Sequence, residues 1–287
     1  MVLSPTVASW DLGLRIRDRR ELLGLSGAAA ATSLGMSVQF LSAVEHGKKK
    51  LPEDKLSALI AAYEFDEDEA TELRVLREQA GHRGWWMQFS ALFNDELLRF
   101  FGFEHGAESI RAYDNGLMNG LLQTDEYAMA IIAAGSPNIR LAEVDRRVQA
   151  RMIRQRRLTG EPRLQLTAIM SESTIRQQVG GPHVLLGQLR HLLDLVDQLA
   201  DTLTVRVVPY TATGHHAMGG SAFHLMTFAS GTLPTLVWQE TVTSTELIED
   251  PQTVREYSLA YAEVTKATLD LNESVSLIKQ VIKEISS

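Results

Sequence analysis

The stretch LSGAAAATSLGMSVQFLSAVEHG, residues 25–47, decides how the first part of the chain folds. Ser26 stands just before residues 27–33, where its hydroxyl can accept from a first-turn amide, and Gly35 supplies a tight turn. Ser37 repeats the signal ahead of Val38, Phe40, Leu41 and Val44, and Gly47 ends the run. Two short helices joined by a turn are the result. Working outward, Leu12, Ile16 and Leu23 share one face of a preceding helix that Gly24 stops. Pro52 leads into Leu56, Leu59, Ile60 and Tyr63, and residues 66–79 form an acid-rich fifth helix. Residues 11–80 therefore predict an all-helical unit with little strand alternation.

Gly81-His82-Arg83-Gly84 then breaks the helical pattern and reads as a hinge, with Trp85, Trp86, Phe89, Leu92 and Phe93 opening a new core. Helices are expected over 94–103, 124–134, 141–158, 183–199, 251–269 and 273–285. Strands are expected over 163–170, 204–209, 222–228 and 235–239. The expectation is a mainly α chain, with a five-helix domain at 1–80 and a larger α+β domain at 81–287.

A length of 287 residues suits two domains, and 45% hydrophobic content is enough to build their cores. Twenty-eight Lys and Arg against 36 Asp and Glu give a net charge of -8, so no chain-wide basic field draws the protein onto nucleic acid or anionic lipid. Such contacts must be local. The absence of Cys excludes disulfides, thiolate zinc sites and cysteine nucleophiles. Residues 1–10 lack the basic start and apolar core of a signal peptide, and no apolar run approaches the roughly 20 residues of a membrane span. A cytoplasmic protein without membrane contact is expected.

Leu12-Gly13, Arg20, Gly24-Leu25-Ser26, Leu34-Gly35-Met36-Ser37 and Val44-Glu45-His46-Gly47-Lys48 follow in the order and spacing of the XRE, lambda-repressor-like helix-turn-helix family, which residues 11–64 resemble. Arg83-Gly84-Trp85-Trp86, Gly120-Leu121-Leu122-Gln123-Thr124, Val179-Gly180-Gly181-Pro182 and Val207-Val208-Pro209 resemble the long C-terminal domain of actinobacterial regulators of the WhiJ type. The resemblance implies a transcriptional regulator of double-stranded DNA, commonly encoded beside a small protein partner. It also implies that Arg20 and Glu45 pair between the first and third helices, fixing how the third is presented.

In such a fold the third helix offers its N-terminal side chains to base edges in the major groove. Ser37, Val38, Gln39, Ser42 and Ala43 are the exposed candidates, with Gln39 suited to adenine and Val38 to a thymine methyl. Lys48, Lys49 and Lys50 are candidates for phosphates, against the plainer reading of a solvated loop. Gly27, Val38 and Ala43 stand where family members often carry Gln or Arg. Residues 1–63 balance at only +2, from 8 basic and 6 acidic side chains, so binding as a homodimer gains importance.

In the second domain, residues 145–158 carry Arg146, Arg147, Arg151, Arg154, Arg156 and Arg157. They form either a solvated helix face paired with local acids or a surface for an acidic partner, to which Arg147, Arg151 and Arg154 are assigned. Trp85 and Trp86 are read as core or interface anchors, and count with those arginines as candidates for a partner or effector surface. His215, His216 and His224 invite a metal reading, but their spacing lacks a diagnostic pattern, so no metal or cofactor is expected and His215 and His216 join the same candidate surface. Residues 211–220 suggest a mobile loop without a phosphate-loop ending. No GxSxG or HExxH occurs, and no acid, base and nucleophile converge, so an enzyme is not expected. The competing expectation is an antitoxin-like interaction protein that sequesters its small partner with weak or no DNA binding.

Overall fold

Ser4 accepts a hydrogen bond from the Val7 amide and opens α1 (Pro5–Leu22). The helix thus begins before residue 11, and its added turns bury Ala8 and Trp10. Leu23, expected on the apolar face with Leu12 and Ile16, is the helix cap and 40% exposed; Arg20 holds the last buried place on that face. Ser26 caps α2 (Gly27–Ser33) and Ser37 caps α3 (Val38–Glu45), through the amides of Ala29 and Phe40 at 3.2 and 3.1 Å. Pro52 precedes α4 (Glu53–Ala62), and an Asp66/Glu69 capping box starts α5 (Glu67–Gly81). Leu12, Ile16, Leu41, Val44, Leu59 and Leu73 meet in one core.

Two glycines set how closely α1 and α3 approach. A Cβ on Gly13 would lie 2.4 Å from the Val44 carbonyl oxygen, so the helix backbones touch there. Gly47, at φ +65°, ends α3 against the backbone of Trp10, whose Cα would lie 2.7 Å from a Cβ.

The computed structural model describes residues 4–135, 140–241 and 244–287, and divides into Met1–Gln88 and Phe89–Ser287. The division falls later than the expected 80/81. Helix α5 continues through Gly81, and Trp86 folds back against Gly84, where a Cβ would lie 2.2 Å from the indole. Gly81–84 is therefore not a run of free glycine backbone, and Trp85 and Trp86 belong to the first unit.

A 3-10 turn covers Trp85–Phe89, and the second unit begins at Phe89. In chain order it comprises α6 (Asp95–Gly106), β1 (Ser109–Asp114), α7 (Asp125–Ala134), α8 (Leu141–Thr159), β2 (Gln165–Ser171), α9 (Glu172–Arg176), α10 (Pro182–Gln198) and β3 (Leu203–Val208). Then come β4 (Phe223–Thr227), β5 (Leu236–Glu240), β6 (Thr245–Ile248), α11 (Pro251–Lys266) and α12 (Leu271–Ser286). The sheet order is β3-β2-β1-β4-β5-β6, with β1, β2 and β3 parallel and each later pair antiparallel. The architecture is α+β. Tyr113, Phe223, Leu225 and Val237 pack on Tyr261 and Val264 of α11. On the other face Phe100 of α6 stacks on Trp238 at 4.4 Å, and Ala128 and Ile132 of α7 pack on Val144 and Val148 of α8.

Candidate nucleic-acid interface

Helix α3 divides cleanly by burial. Leu41, Val44 and Glu45 face the core, while Ser37, Val38, Gln39 and Ser42 are exposed and Ala43 is half-buried. Val38 leaves 47% of its surface in solvent, and several other large apolar side chains of the protein are likewise exposed, so its exposure makes it available to a partner without requiring one. Because Cβ atoms on a helix recur every three to four residues, 38, 39 and 42 share one side of the first turns. These are the short, exposed side chains that a groove-entering helix presents.

The opposite side of α3 is fixed to α1 by charge. Arg20 Nε donates to Glu45 Oε1 at 2.6 Å and Nη2 donates to Oε2 at 2.9 Å, a bidentate pair with both side chains buried. Arg20 Nη1 also donates to the Leu25 carbonyl at 2.9 Å, tying the entrance of α2 to the same guanidinium. The Glu45 hydrogen bond pushes the Arg20 guanidinium further up. Tyr63 of the same core is fully buried, its hydroxyl has no hydrogen-bond partner among the described residues, and burial followed by the Glu45 charge pushes it up to about 12.

The three lysines separate. Lys48 and Lys49 are exposed just past α3, whereas Lys50 Nζ donates to the Gly81 carbonyl at 2.8 Å and so ties the loop to the end of α5. Lys55 Nζ donates to the carbonyls of Leu34 and Gly35 at 3.2 and 3.4 Å, bracing the turn between α2 and α3. That brace was not legible from the sequence, since Lys55 lies on another helix.

The arginines of α8 divide: Arg146 and Arg156 are exposed, whereas Arg147, Arg151, Arg154 and Arg157 are partly or fully buried. Arg154 donates Nε and Nη2 to Glu104 at 2.7 and 2.8 Å while its guanidinium lies over Phe100 and Phe101. Arg157 donates to the carbonyls of Ala107 and Pro162. Arg147 donates to the Leu92 carbonyl at 2.6 Å and to Glu143, over Phe93. Arg154 and Arg147 therefore do not form the expected partner surface; they clamp α8 to α6 and to the segment before it. Arg151 differs: among the described residues it donates only Nη1, to Gln123 Oε1 at 2.7 Å.

Trp86 is buried and meets the half-buried Trp85 edge to face at 5.8 Å, so this pair is core-forming rather than an open surface. The three histidines do not converge. His215 packs edge-on to Tyr113 at 5.6 Å on one side of the sheet. His224, in register with Ala112, points to the other, because successive strand residues alternate faces. Its Nε2 lies 3.2 Å from Asn119 Nδ2 and 3.7 Å from Asp114 Oδ1. His216 is exposed. Among the described residues no group of three His, Asp or Glu side chains is placed to hold a metal ion, and no single helix is long and apolar enough to cross a membrane.

No curated protein and no solved structure matches the chain. Two family models do. Residues 11–73 match a helix-turn-helix domain, which marks the first unit as that of a DNA-binding regulator, and neither match indicates an enzyme. The other covers 97–280, well over half of the chain, so the protein belongs to the family defined by a domain of unknown function (DUF5753), here joined to an N-terminal helix-turn-helix domain.

Proposed function

We propose that the protein is a sequence-specific transcriptional regulator of the XRE type that binds duplex DNA as a dimer through α3, and whose second unit receives a small partner protein or ligand. The observation that carries the reading is the outer face of α3: Ser37, Val38, Gln39 and Ser42 are solvent-facing while their helix is locked from behind by Arg20 and Glu45. Gln39 supplies a bidentate donor and acceptor for adenine and Val38 a methyl contact for thymine, which are readout groups. Lys48 and Lys49 supply phosphate contacts, and Lys50, engaged with Gly81, does not. Two modest half-sites on a dimer compensate for a weakly basic unit.

The test is fluorescence anisotropy with duplexes from the protein's own locus and with random duplexes, across a salt series. Replacing Lys48 and Lys49 by Ala weakens both and lowers the salt slope by about one for each phosphate no longer neutralised. Gln39→Ala weakens only the specific duplex, by about 1 to 3 kcal/mol. An equal response of specific and random DNA to Gln39→Ala refutes base readout by this residue.

A further inference from the structure

Two arginines of the chain bind carboxylates in the same way. Arg20 grips Glu45, and Arg154 grips Glu104, through the same edge of the guanidinium: Nε to one oxygen and Nη2 to the other, at 2.6 to 2.9 Å. That edge matches the spacing of two oxygens on a carboxylate or phosphate. Arg151, one turn before Arg154 on α8, has its third nitrogen, Nη1, held by Gln123 Oε1. Gln123 is itself buried and fixed by a bond from its Nε2 to the Met118 carbonyl at 2.6 Å, so the guanidinium is held in place. Among the described residues no acid lies within ion-pair distance of Arg151. Among those residues its Nε and Nη2 also have no hydrogen-bond partner, and neither is among the nitrogens sealed from solvent, unlike Nε of Arg147 and Arg157.

We propose that the free Nε/Nη2 edge of Arg151, presented beside the 118–123 loop, is the receptor for an oxyanion, the carboxylate or phosphate group of a small ligand. The proposal rests on the reading of the second unit as ligand-receiving and names the chemistry it receives. Burial, then the neighbouring Arg154 charge, pushes the Arg151 guanidinium down to about 10 against the opposing charges of Glu240 and Glu104, neither of which makes a direct ion pair with it; a bound anion would supply that direct pairing. A buried charge left unpaired destabilises a fold, and a functional site is where such a cost is retained.

The experiment titrates the full chain, without DNA, with sodium phosphate and separately with sodium succinate, against sodium chloride at matched ionic strength. Thermal unfolding and the Arg Nε–Hε NMR resonances are followed, the Arg151 signal being assigned by its loss in Arg151→Gln. Saturable stabilisation and a shift of that resonance are expected with at least one oxyanion, and the responding anion identifies the group. Arg151→Lys keeps the charge but loses the planar edge, and is expected to weaken binding at least about tenfold. Arg151→Gln folds, binds neither anion, and in their absence unfolds no earlier than the parent. No saturable response to either anion, or equal affinity in Arg151→Lys, overturns the proposal. Because DNA is absent, that outcome leaves the DNA-binding reading untouched, and loss of DNA readout with intact anion binding separates the two the other way.

Discussion

Arg20, Glu45 and Tyr63 put two charges and a bare hydroxyl into one helical core. Removing either member of the Arg20–Glu45 pair leaves its partner charged and buried, which costs about 3 to 5 kcal/mol. The double replacement should cost less than the sum of the singles, and denaturant unfolding of the four variants measures the difference. Strict additivity would exclude direct coupling. Tyr63 behaves differently, because its hydroxyl is buried without a partner among the described residues. Tyr63→Phe removes an unsatisfied group and should leave stability at pH 7 unchanged or slightly raised. The folded-state value near 12 lies above the ordinary 10, so the neutral phenol's contribution is complete below pH 10 and is lost as pH rises towards 12. Alkaline melting curves of the parent should fall more steeply than those of Tyr63→Phe between pH 10 and 12.

At the scale of elements, the glycine contacts decide how α1 meets α3. Gly13→Ala drives a Cβ into the Val44 and Glu45 carbonyls, and the resulting overpacking should cost about 1 to 3 kcal/mol, with DNA affinity falling as α3 is displaced. Gly24→Ala, which meets nothing, is strained only by its positive φ and should leave DNA affinity intact once folded. Equal effects of the two on DNA binding would dissociate the Gly13 contact from the pose of α3. The five helices of the first unit were legible because Ser26 and Ser37 cap two starts, Pro52 marks a third, the acid-rich run from residue 66 marks a fourth, and the first three helices end at Gly24, Gly35 and Gly47. The start of α1 was not, since Pro5 to Trp10 lacks a polar face to mark its period. Strand β1 escaped for a different reason. Ser-Ile-Arg-Ala-Tyr-Asp is covered on both faces, so Arg111 and Tyr113 blur the alternation of Ile110 and Ala112. The Arg154–Glu104 clamp spans 50 residues, a separation over which spacing carries no information, and this is why the α8 arginines read as a surface.

On the scale of the whole molecule, each unit has its own core, one centred on Leu41 and Leu59, the other on the two faces of the sheet. If oxyanion binding at Arg151 shifts DNA affinity by some factor, DNA must shift oxyanion affinity by the same factor. Calorimetry of anion binding with and without operator checks this, and a difference in only one direction would violate the linkage. The division into compact units at 1–88 and 89–287 can be tested by transplanting the first. Fused ahead of an unrelated dimer-forming protein, residues 1–88 should keep the same half-site preference, with only the spacing between half-sites reset by the new scaffold.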